Sequence, residues 1–288
     1  MLEMIADYAC NTGEGPIWDP DEKLLYWVDI PTGRLFQYNP ANGEHSLALQ
    51  ADCAIGGYTL QKTGGLLLFM AKGAVRLWKN SQLTTLIEEL PNELGSRFND
   101  VIADPMGRVY CGTMSSPSHP GRLYRLDIDG SIRTVVEGCA CSNGMGFTAD
   151  RKTMYYIDTP TMRVDQFDYD IDTGELSNRR PFAQTPPDAG YPDGMTVDAD
   201  GFVWVAKWGG GRVERYDING KLERTIELPA GQVSCLTFGG DDLGDIYLTT
   251  AGGHDKGTHG PGAGALYRTR VEGISGVPEF HSRITLPE

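Results

Sequence analysis

The sequence predicts an all-β fold, a six-bladed β-propeller with four-stranded antiparallel blades. Six short runs rich in large apolar residues recur along the chain, which is the pattern of β-strands. Their first large apolar residues are Leu24, Leu66, Val109, Met154, Phe202 and Ile246. The intervals between these residues, 42, 43, 45, 48 and 44, match the length of one propeller blade. No segment carries a sustained helical stripe of apolar residues at i, i+3 and i+4.

The segments between these runs supply the other strands of each repeat. A turn rich in Asp, Asn or Gly precedes each run, as in Ala199-Asp200-Gly201 before Phe202. Third and fourth strands follow, and in the fifth repeat they are GRVERYDINGK and LERTIELP. A β-sandwich is the main alternative, but it does not predict six evenly spaced units. Because a closed ring removes exposed edges, we expect the terminal segments MLEMIADYA and EFHSRITL to be strands that complete one domain of residues 1–288.

Composition and charge exclude several classes of partner. The chain has 288 residues, 40% of them hydrophobic, and a net charge of −14. An acidic chain without a basic run does not suit nucleic acid, because phosphates require a basic surplus. No stretch approaches the length of a membrane span, and the N-terminus lacks the features of a secretion signal, so we expect no membrane partner and a cytoplasmic location. The six Cys form no CxxC pair, and we expect reduced, mostly buried thiols.

Four polar residues share one position in the first strands of four repeats. They are Glu14, Asn99, Asn143 and Asp193, and they lie 9 to 11 residues before the apolar marker of the next strand. Since the first strand of each blade lies nearest the axis, we expect these side chains to converge at one end of the channel. The other two repeats carry Gly56 and Ser234 near this position, and we expect these small residues to leave room on one side.

Two carboxylates and two amides at one point make an oxygen-rich site. Such oxygens suit Ca²⁺, Mg²⁺ or Mn²⁺, and Zn²⁺ is compatible with the carboxylates. Without a cation, Glu14 and Asp193 would repel each other and one would bind a proton. Each of the four residues alone is equally well explained as a local cap of turn or strand backbone. Because all four share one position in the repeat, a common site is favoured over four separate caps.

The loops after the second strands should form the rim of this site, because they return the chain to the end where the first strands begin. The rim candidates, each more often a surface or packing residue than a catalyst, are His119, Lys207, Trp208, His254 and His259. The last loop, residues 252–264, is long and rich in Gly, and we expect a mobile lid. Its two His suggest a metal pair, but no third ligand is implied.

Four motifs together resemble a known family. They are GEGPIWDP, RFNDVIADPMGRVYCGTM, SNGMGFTADRKTMYYIDT and YPDGMTVDADGFVWVAKWGGGRVERYDINGK, with support from FGGDDLGDIYLTTA. Over essentially its full length, the chain resembles the sugar-lactone lactonases of the gluconolactonase, senescence-marker-protein (regucalcin) and luciferin-regenerating-enzyme family. The resemblance implies a six-bladed propeller with one divalent metal ion on its axis. It implies Glu14, Asn143 and Asp193 as ligands of this ion, Asp193 as proton acceptor and donor, and Arg97 and Asn99 as contacts to the sugar lactone.

The activity that the resemblance implies is the hydrolysis of an aldonolactone, a small gluconolactone-like molecule, to its aldonic acid. The cation stays open among Ca²⁺, Zn²⁺, Mn²⁺ and Mg²⁺, and no oligomeric state follows from the sequence. Two loops depart from the family and bear on which sugar is used: animal members carry a substrate-binding acid where this chain has Pro117, Ser118 and His119, and GGHDKGTHGPGAG replaces the usual final loop of bacterial members. The alternatives are a promiscuous esterase or organophosphate hydrolase and a non-catalytic, calcium-binding regulatory propeller.

Overall fold

The computed structural model describes residues 1–286 and contains six four-stranded antiparallel sheets. The chain begins with β1 (Glu3–Asp7). Each of the next five sheets is formed by four consecutive strands; the first contains β2 (Gly13–Asp19), β3 (Leu24–Asp29), β4 (Arg34–Asn39) and β5 (Glu44–Gln50), and the second contains β6 (Ile55–Leu60), β7 (Leu66–Met70), β8 (Val75–Lys79) and β9 (Gln82–Ile87). The third sheet contains β10 (Phe98–Ala103), β11 (Val109–Thr113), β12 (Gly121–Leu126) and β13 (Ile132–Cys139), and the fourth contains β14 (Ser142–Phe147), β15 (Thr153–Asp158), β16 (Arg163–Tyr169) and β17 (Leu176–Gln184). The fifth sheet contains β18 (Tyr191–Val197), β19 (Val203–Trp208), β20 (Arg212–Tyr216) and β21 (Leu222–Glu227). The sixth sheet is formed by β22 (Val233–Gly239), β23 (Asp245–Thr250) and β24 (Ala265–Arg270) together with β1. Besides these strands, the described residues contain one α-helical turn, α1 (Lys256–His259), and four 3-10 turns, at Ile30–Thr32, Pro91–Glu93, Thr159–Thr161 and Gly253–Asp255.

The prediction of a six-bladed propeller with four-stranded antiparallel blades is confirmed. The first strands of the six blades contact one another in a ring, in the order β2, β6, β10, β14, β18, β22 and back to β2. The outermost strand of each blade is its most exposed one: every residue of β14 is buried, whereas most of β17 is exposed. The first strands therefore surround the axis, as the sequence predicts, and the last strands face solvent.

The core lies between neighbouring blades rather than within one. Alternate residues of β3 face opposite sides of the sheet: Tyr26 and Val28 pack in a cluster with the second blade, and Leu25 and Trp27 pack in a cluster with the sixth. Both faces of an inner strand are thus covered, which is why the second strands read as nearly continuous apolar runs. Each large side chain buried in this way stabilises the fold by about 1.5–3 kcal/mol.

The N-terminal segment completes the ring, as predicted. Strand β1 forms the outermost strand of the sixth sheet and pairs antiparallel to β24, with Glu3 opposite Arg268 and Asp7 opposite Ala265. The last blade therefore contains strands from both ends of the chain.

The prediction of a C-terminal strand is wrong. The tail leaves the sixth blade near Gly276, whose amide donates to Leu243 O at 2.8 Å, and reaches the second blade, where Ser282 N donates to Leu60 O at 2.8 Å. Because β1 already fills the fourth position of the last sheet, the tail is free to cross one mouth of the channel. There Val277 to Phe280 cover a cavity of about 90 Å³ that is also lined by Asp100 and Tyr58.

All six cysteines are free, and four of them are buried, in agreement with the expectation of reduced thiols. Within residues 1–286, no helix has the length and apolar character required to cross a membrane.

Candidate active site

A cavity of about 430 Å³ lies at the end of the channel opposite the C-terminal tail. It is lined by Thr12, Glu14, Ile30, Arg97, Asn99, Met114, Cys141, Asn143, Thr159, Tyr191, Asp193 and Trp208. All five residues that the sequence proposes for metal and substrate therefore line one cavity. Four of the five are buried, and Arg97 is partly buried.

The polar side chains are placed by irregularities in the innermost strands. In β10, β14 and β18 the register shifts at one point, and Asn99, Asn143 and Asp193 are the first residues inside these shifts. A bulge turns a side chain out of the pleat, here toward the axis. Glu14 differs, because it still pairs with Val28 and the shift in β2 follows it. Relative to the register shift, Glu14 lies one residue earlier than the other three residues do, and its side chain is one methylene longer than that of Asp193.

Gly56 and Ser234 do not leave room in the cavity, contrary to the expectation from sequence. A Cβ at Gly56 would lie 2.0 Å from the carbonyl oxygen of Phe98, so the neighbouring blade fills this space. Ser234 is fully buried and donates from Oγ to Gly13 O at 2.5 Å. Small residues at these positions let adjacent innermost strands approach closely, and they do not widen the site.

Asn143 joins two blades through its side-chain amide. Its Nδ2 donates to Thr159 Oγ1 at 3.0 Å and also to the carboxylate of Asp193. Thr159 in turn donates from Oγ1 to the carbonyl of Pro192 at 2.9 Å. Both hydrogens of the amide are therefore used, and the carbonyl oxygen Oδ1 has no donor among the residues described. This oxygen is available to a cation.

Arg97 and Asn99 form a second linked pair. Arg97 Nη1 donates to Asn99 Oδ1 at 2.7 Å and to Phe98 O at 2.9 Å, and Asn99 Nδ2 donates to Ser142 O at 3.0 Å. Arg97 makes no salt bridge with any described residue, and burial lowers the pKa of its guanidinium. Its remaining N–H groups are therefore free to bind a ligand in the cavity.

The carboxyls of the site are held in an unfavourable environment. Burial raises the pKa of Glu14 well above its ordinary range, and the negative charges of Asp193 and Asp100 raise it further. Burial and Asp100 likewise raise the pKa of Asp193, while the Asn143 amide and Arg97 oppose the shift. Two buried carboxyls that resist ionisation indicate a place for positive charge.

The donor set fits a divalent cation of the hard type. Glu14 and Asp193 offer carboxylate oxygens, and Asn143 offers the unpaired amide oxygen. Among the described residues no group of three or more His, Cys, Asp or Glu is arranged to hold a metal ion, and the candidate set has only two such side chains because its third donor is an amide.

The sequence also matches known proteins over most of its length. Residues 12–252 match the family described as the SMP-30/Gluconolactonase/LRE-like region. The chain belongs to this family. Pentonolactonase XacC of Haloferax volcanii is 45% identical to it over 291 residues, which cover 98% of each protein. The family resemblance noted from the motifs is thereby confirmed.

Two solved structures support the family's fold in this chain. A luciferin-regenerating enzyme superposes with a TM-score of 0.90 at 29% identity and covers 99% of both chains. A calcium-binding protein, regucalcin from Agrobacterium tumefaciens, superposes with a TM-score of 0.89 at 26% identity, covering 98% of this chain and 97% of that one. This member of the SMP-30/gluconolactonase family thus shares its propeller with both.

The prediction that Lys207 lies on the rim of the cavity is wrong. Lys207 is fully buried; its Nζ lies 3.1 Å from Glu214 Oε2 and donates to Thr185 Oγ1 at 2.8 Å. The next residue, Trp208, lines the cavity. Because successive side chains of a strand point to opposite faces, Lys207 is turned into the space between blades.

The other rim candidates lie at different distances from the cavity. His119 is in a surface turn beyond β11 and does not line it. His254 and His259 line a neighbouring shallow pocket. Sequence reasoning did not assign roles to Cys141, Thr159 and Tyr191, which do line the cavity. Thr159 lies in a predicted rim loop, so its place was signalled, but its hydrogen bond across two blades was not.

Proposed function

We propose that this protein hydrolyses a sugar lactone, the cyclic ester of an aldonic acid, with the help of one divalent cation. One observation carries the proposal: Glu14, Asn143 and Asp193 converge beside Arg97 in a single axial cavity. The 45% identity to a protein named pentonolactonase, over nearly the whole of both chains, supports it.

The cation would be held by the carboxylates of Glu14 and Asp193 and by Oδ1 of Asn143. When bound, a divalent cation polarises an ester carbonyl, stabilises the negative charge that develops on its oxygen, and favours the ionised form of nearby carboxyls. Ca²⁺, Mn²⁺, Mg²⁺ and Zn²⁺ all suit this donor set, and the name of the calcium-binding relative makes Ca²⁺ the first to test.

Asp193 moves the proton in the proposed reaction. Its carboxylate accepts a proton from water as the water oxygen bonds to the lactone carbonyl carbon. The bond between that carbon and the ring oxygen then breaks, and the protonated Asp193 returns its proton to the ring oxygen. The product is an open aldonic acid with one new hydroxyl. The Asn143 amide, which donates to Asp193, orients the carboxylate for both transfers.

Arg97 and Asn99 orient the sugar. Their mutual hydrogen bond, at 2.7 Å, fixes both side chains at the wall of the cavity. The free N–H groups of Arg97 are donors for the hydroxyl oxygens of the substrate. Binding through these donors would hold the carbonyl carbon close to Asp193 and to the water that attacks.

The test is a panel of aldonolactones followed by acid release, with the spontaneous rate subtracted. The protein is first stripped of metal, and each of the four cations is then added back. Asp193→Asn should abolish the catalysed rate, whereas Asp188→Asn, an exposed carboxylate in the preceding loop, should match the wild type. Full activity in the Asp193→Asn variant would refute the role of Asp193.

A regulatory, non-catalytic propeller is the second candidate, favoured by the name of the calcium-binding relative. It predicts cation binding without turnover of any lactone. Adding an aryl phosphotriester to the panel distinguishes a lactonase from an esterase or organophosphate hydrolase. The latter would hydrolyse the phosphotriester faster than the lactones.

A further inference from the structure

A second, shallow pocket adjoins the axial cavity at the same end of the propeller. It has a volume of about 600 Å³ and is lined by Asn11, Thr12, Trp208, Gln232, His254 and His259. Thr12 and Trp208 also line the axial cavity, so the same two residues border both spaces. A molecule bound at Asp193 could extend past Trp208 into the second pocket.

The polar side chains of this pocket have no partners within the protein. Over the described residues 1–286, no hydrogen bond is made by the side chains of Asn11, Gln232, His254 or His259, nor by the indole N–H of Trp208. Amides and imidazoles both donate and accept, so their free groups match the hydroxyls of a sugar. An indole adds an apolar face against which the C–H bonds of a sugar ring can pack.

The pocket is preformed by backbone contacts. Trp208 is bridged to Gln232, and Thr12 is bridged to Ala251. Gly252 has a φ of +81°, and a Cβ there would lie 2.7 Å from the ring of His259, so only glycine permits this packing.

The loop of residues 252–264, for which the sequence predicts a mobile lid, is also held in place by contacts to its surroundings. Gly253 N donates to Cys10 O at 2.9 Å, and Gly231 N donates to His259 O at 2.6 Å. Lys256 contacts Asp7 of β1. The loop therefore holds its two His against the pocket rather than hanging free over the cavity.

Charge favours a neutral ligand in this pocket over an anionic one. No Lys or Arg belongs to its lining, and the nearby Lys256 is paired with Asp7. Asp255 lies between the two His in the sequence and adds a negative charge. A phosphate or carboxylate would meet no fixed positive charge here, whereas sugar hydroxyls need none.

We propose that this pocket is a subsite for a second sugar ring, so that the protein opens aldonolactones that carry a glycosyl substituent. This inference rests on the proposed lactone hydrolysis. Water adds across the ester bond of the lactone ring, giving a carboxylic acid and a hydroxyl, while the glycosidic bond to the second sugar stays intact.

The test compares glucono-1,5-lactone with cellobiono-1,5-lactone, which differ by one glucosyl ring. The wild type should open both. The double variant Gln232→Ala/His259→Ala should lower the ratio of kcat/KM for cellobionolactone to that for gluconolactone by about tenfold or more, because two neutral hydrogen bonds to the second ring are lost. Gln82→Ala, at an exposed position of the outermost strand β9, should leave the ratio unchanged.

The outcomes separate this inference from the function on which it rests. If the wild type opens gluconolactone but not cellobionolactone, or if the ratio does not change in the double variant, the subsite is refuted and lactone hydrolysis stands. If neither lactone nor any other of the panel is opened, both proposals fail. A double variant that loses turnover of 6-phosphogluconolactone but keeps that of cellobionolactone would show an anion site instead. Thermal unfolding of the variants confirms that they are folded.

Discussion

Thr159 Oγ1 accepts a hydrogen bond from Asn143 Nδ2 at 3.0 Å, and this contact, together with the one from the same amide to the Asp193 carboxylate, sets which way the amide of Asn143 faces. If the amide were turned over, its oxygen would point at Thr159 and its NH₂ group would point at the proposed cation. Thr159 holds its own orientation by donating to Pro192 O at 2.9 Å. Thr159, which is not among the proposed ligands, therefore helps to keep the oxygen of Asn143 directed at the proposed cation.

We expect Thr159→Val to weaken cation binding by about ten- to hundredfold, because Asn143 loses one of the two acceptors that orient its amide. Titration calorimetry with Ca²⁺ and Mn²⁺ measures the affinity directly, and the cation dependence of lactone opening provides a second readout. Thr159→Ser keeps the hydroxyl and should recover most of the affinity.

Thr161→Val is the matched control, since Thr161 lies in the same turn and donates only to the backbone carbonyl of Asp158. It should bind the cation like the wild type. Equal affinities in the Thr159→Val and wild-type proteins would mean that the Asn143 amide needs no such support.

Arg97→Lys should lower kcat/KM for the lactone by about ten- to a hundredfold, mainly through a higher KM. Lysine keeps the positive charge but lacks the planar set of donors that reaches both Asn99 and a sugar hydroxyl. A hydrogen bond to a charged group contributes about 1.5–3 kcal/mol, which corresponds to this range. Steady-state kinetics tests the prediction, with the surface substitution Arg133→Lys as control. A change confined to kcat would argue that Arg97 acts on the reacting carbonyl rather than on binding.

Lys207→Ala should destabilise the fold without a direct effect on the chemistry. The substitution removes the contact of Lys207 with the buried Glu214 at 3.1 Å, while Arg212 at 2.8 Å and the Tyr216 hydroxyl remain as partners. Loss of one hydrogen bond to a charged group costs about 1.5–3 kcal/mol. Chemical unfolding measures the loss. Lys207→Met/Glu214→Gln, which removes both charges, should be more stable than the single variant. A single variant as stable as the wild type would show that Glu214 tolerates its loss.

Glu279 should make the stability of the protein depend on pH. Burial, together with the charge of Asp100, raises the pKa of Glu279 to about 7 in the folded chain, from 4.5. The unfolded chain therefore releases this proton more readily, and the stability that protonated Glu279 contributes is complete below pH 4.5 and is lost as the pH rises through about 7.

Glu279→Gln, which stays neutral, should accordingly exceed the wild type in stability by about 1–3 kcal/mol at pH 8, and this advantage should shrink toward pH 5. Unfolding curves at the two pH values test it, with Glu272→Gln, an exposed carboxylate of the same tail, as control. A difference between Glu279→Gln and the wild type that does not vary with pH would contradict the raised pKa.

Much of this architecture is readable from the sequence because both faces of each inner strand are buried. The regular spacing of Leu24, Leu66 and the later markers follows from six similar blades, and equal phase places Asn99, Asn143 and Asp193 at equal height. This periodicity can be recognised in the sequence without knowledge of any long-range contact. Arg97 has no periodic signal, and only the family resemblance pointed to it.

The errors arise where a contact between distant segments decides the outcome. Lys207 follows the strand pattern next to Trp208, but its burial depends on Glu214 in the next strand and Thr185 in the loop before β18. The C-terminal segment alternates like a strand, yet its place depends on β1 having already completed the last blade. The place of Glu14 follows from its distance in sequence to Leu24, and that distance does not show where β2 shifts register against β3.

The pairing of β1 with β24 also constrains how the protein is made. Strand β1 leaves the ribosome before all the other strands of the propeller, and its partner, Ala265–Arg270, leaves after them. The sixth blade cannot be assembled until the last of these strands has been synthesised, and a contact of such long sequence separation forms slowly. Until then β23 has no neighbour on its outer side, and the sixth sheet is incomplete. The short N-terminal strand thus makes completion of the sixth blade a late event in the folding of the protein.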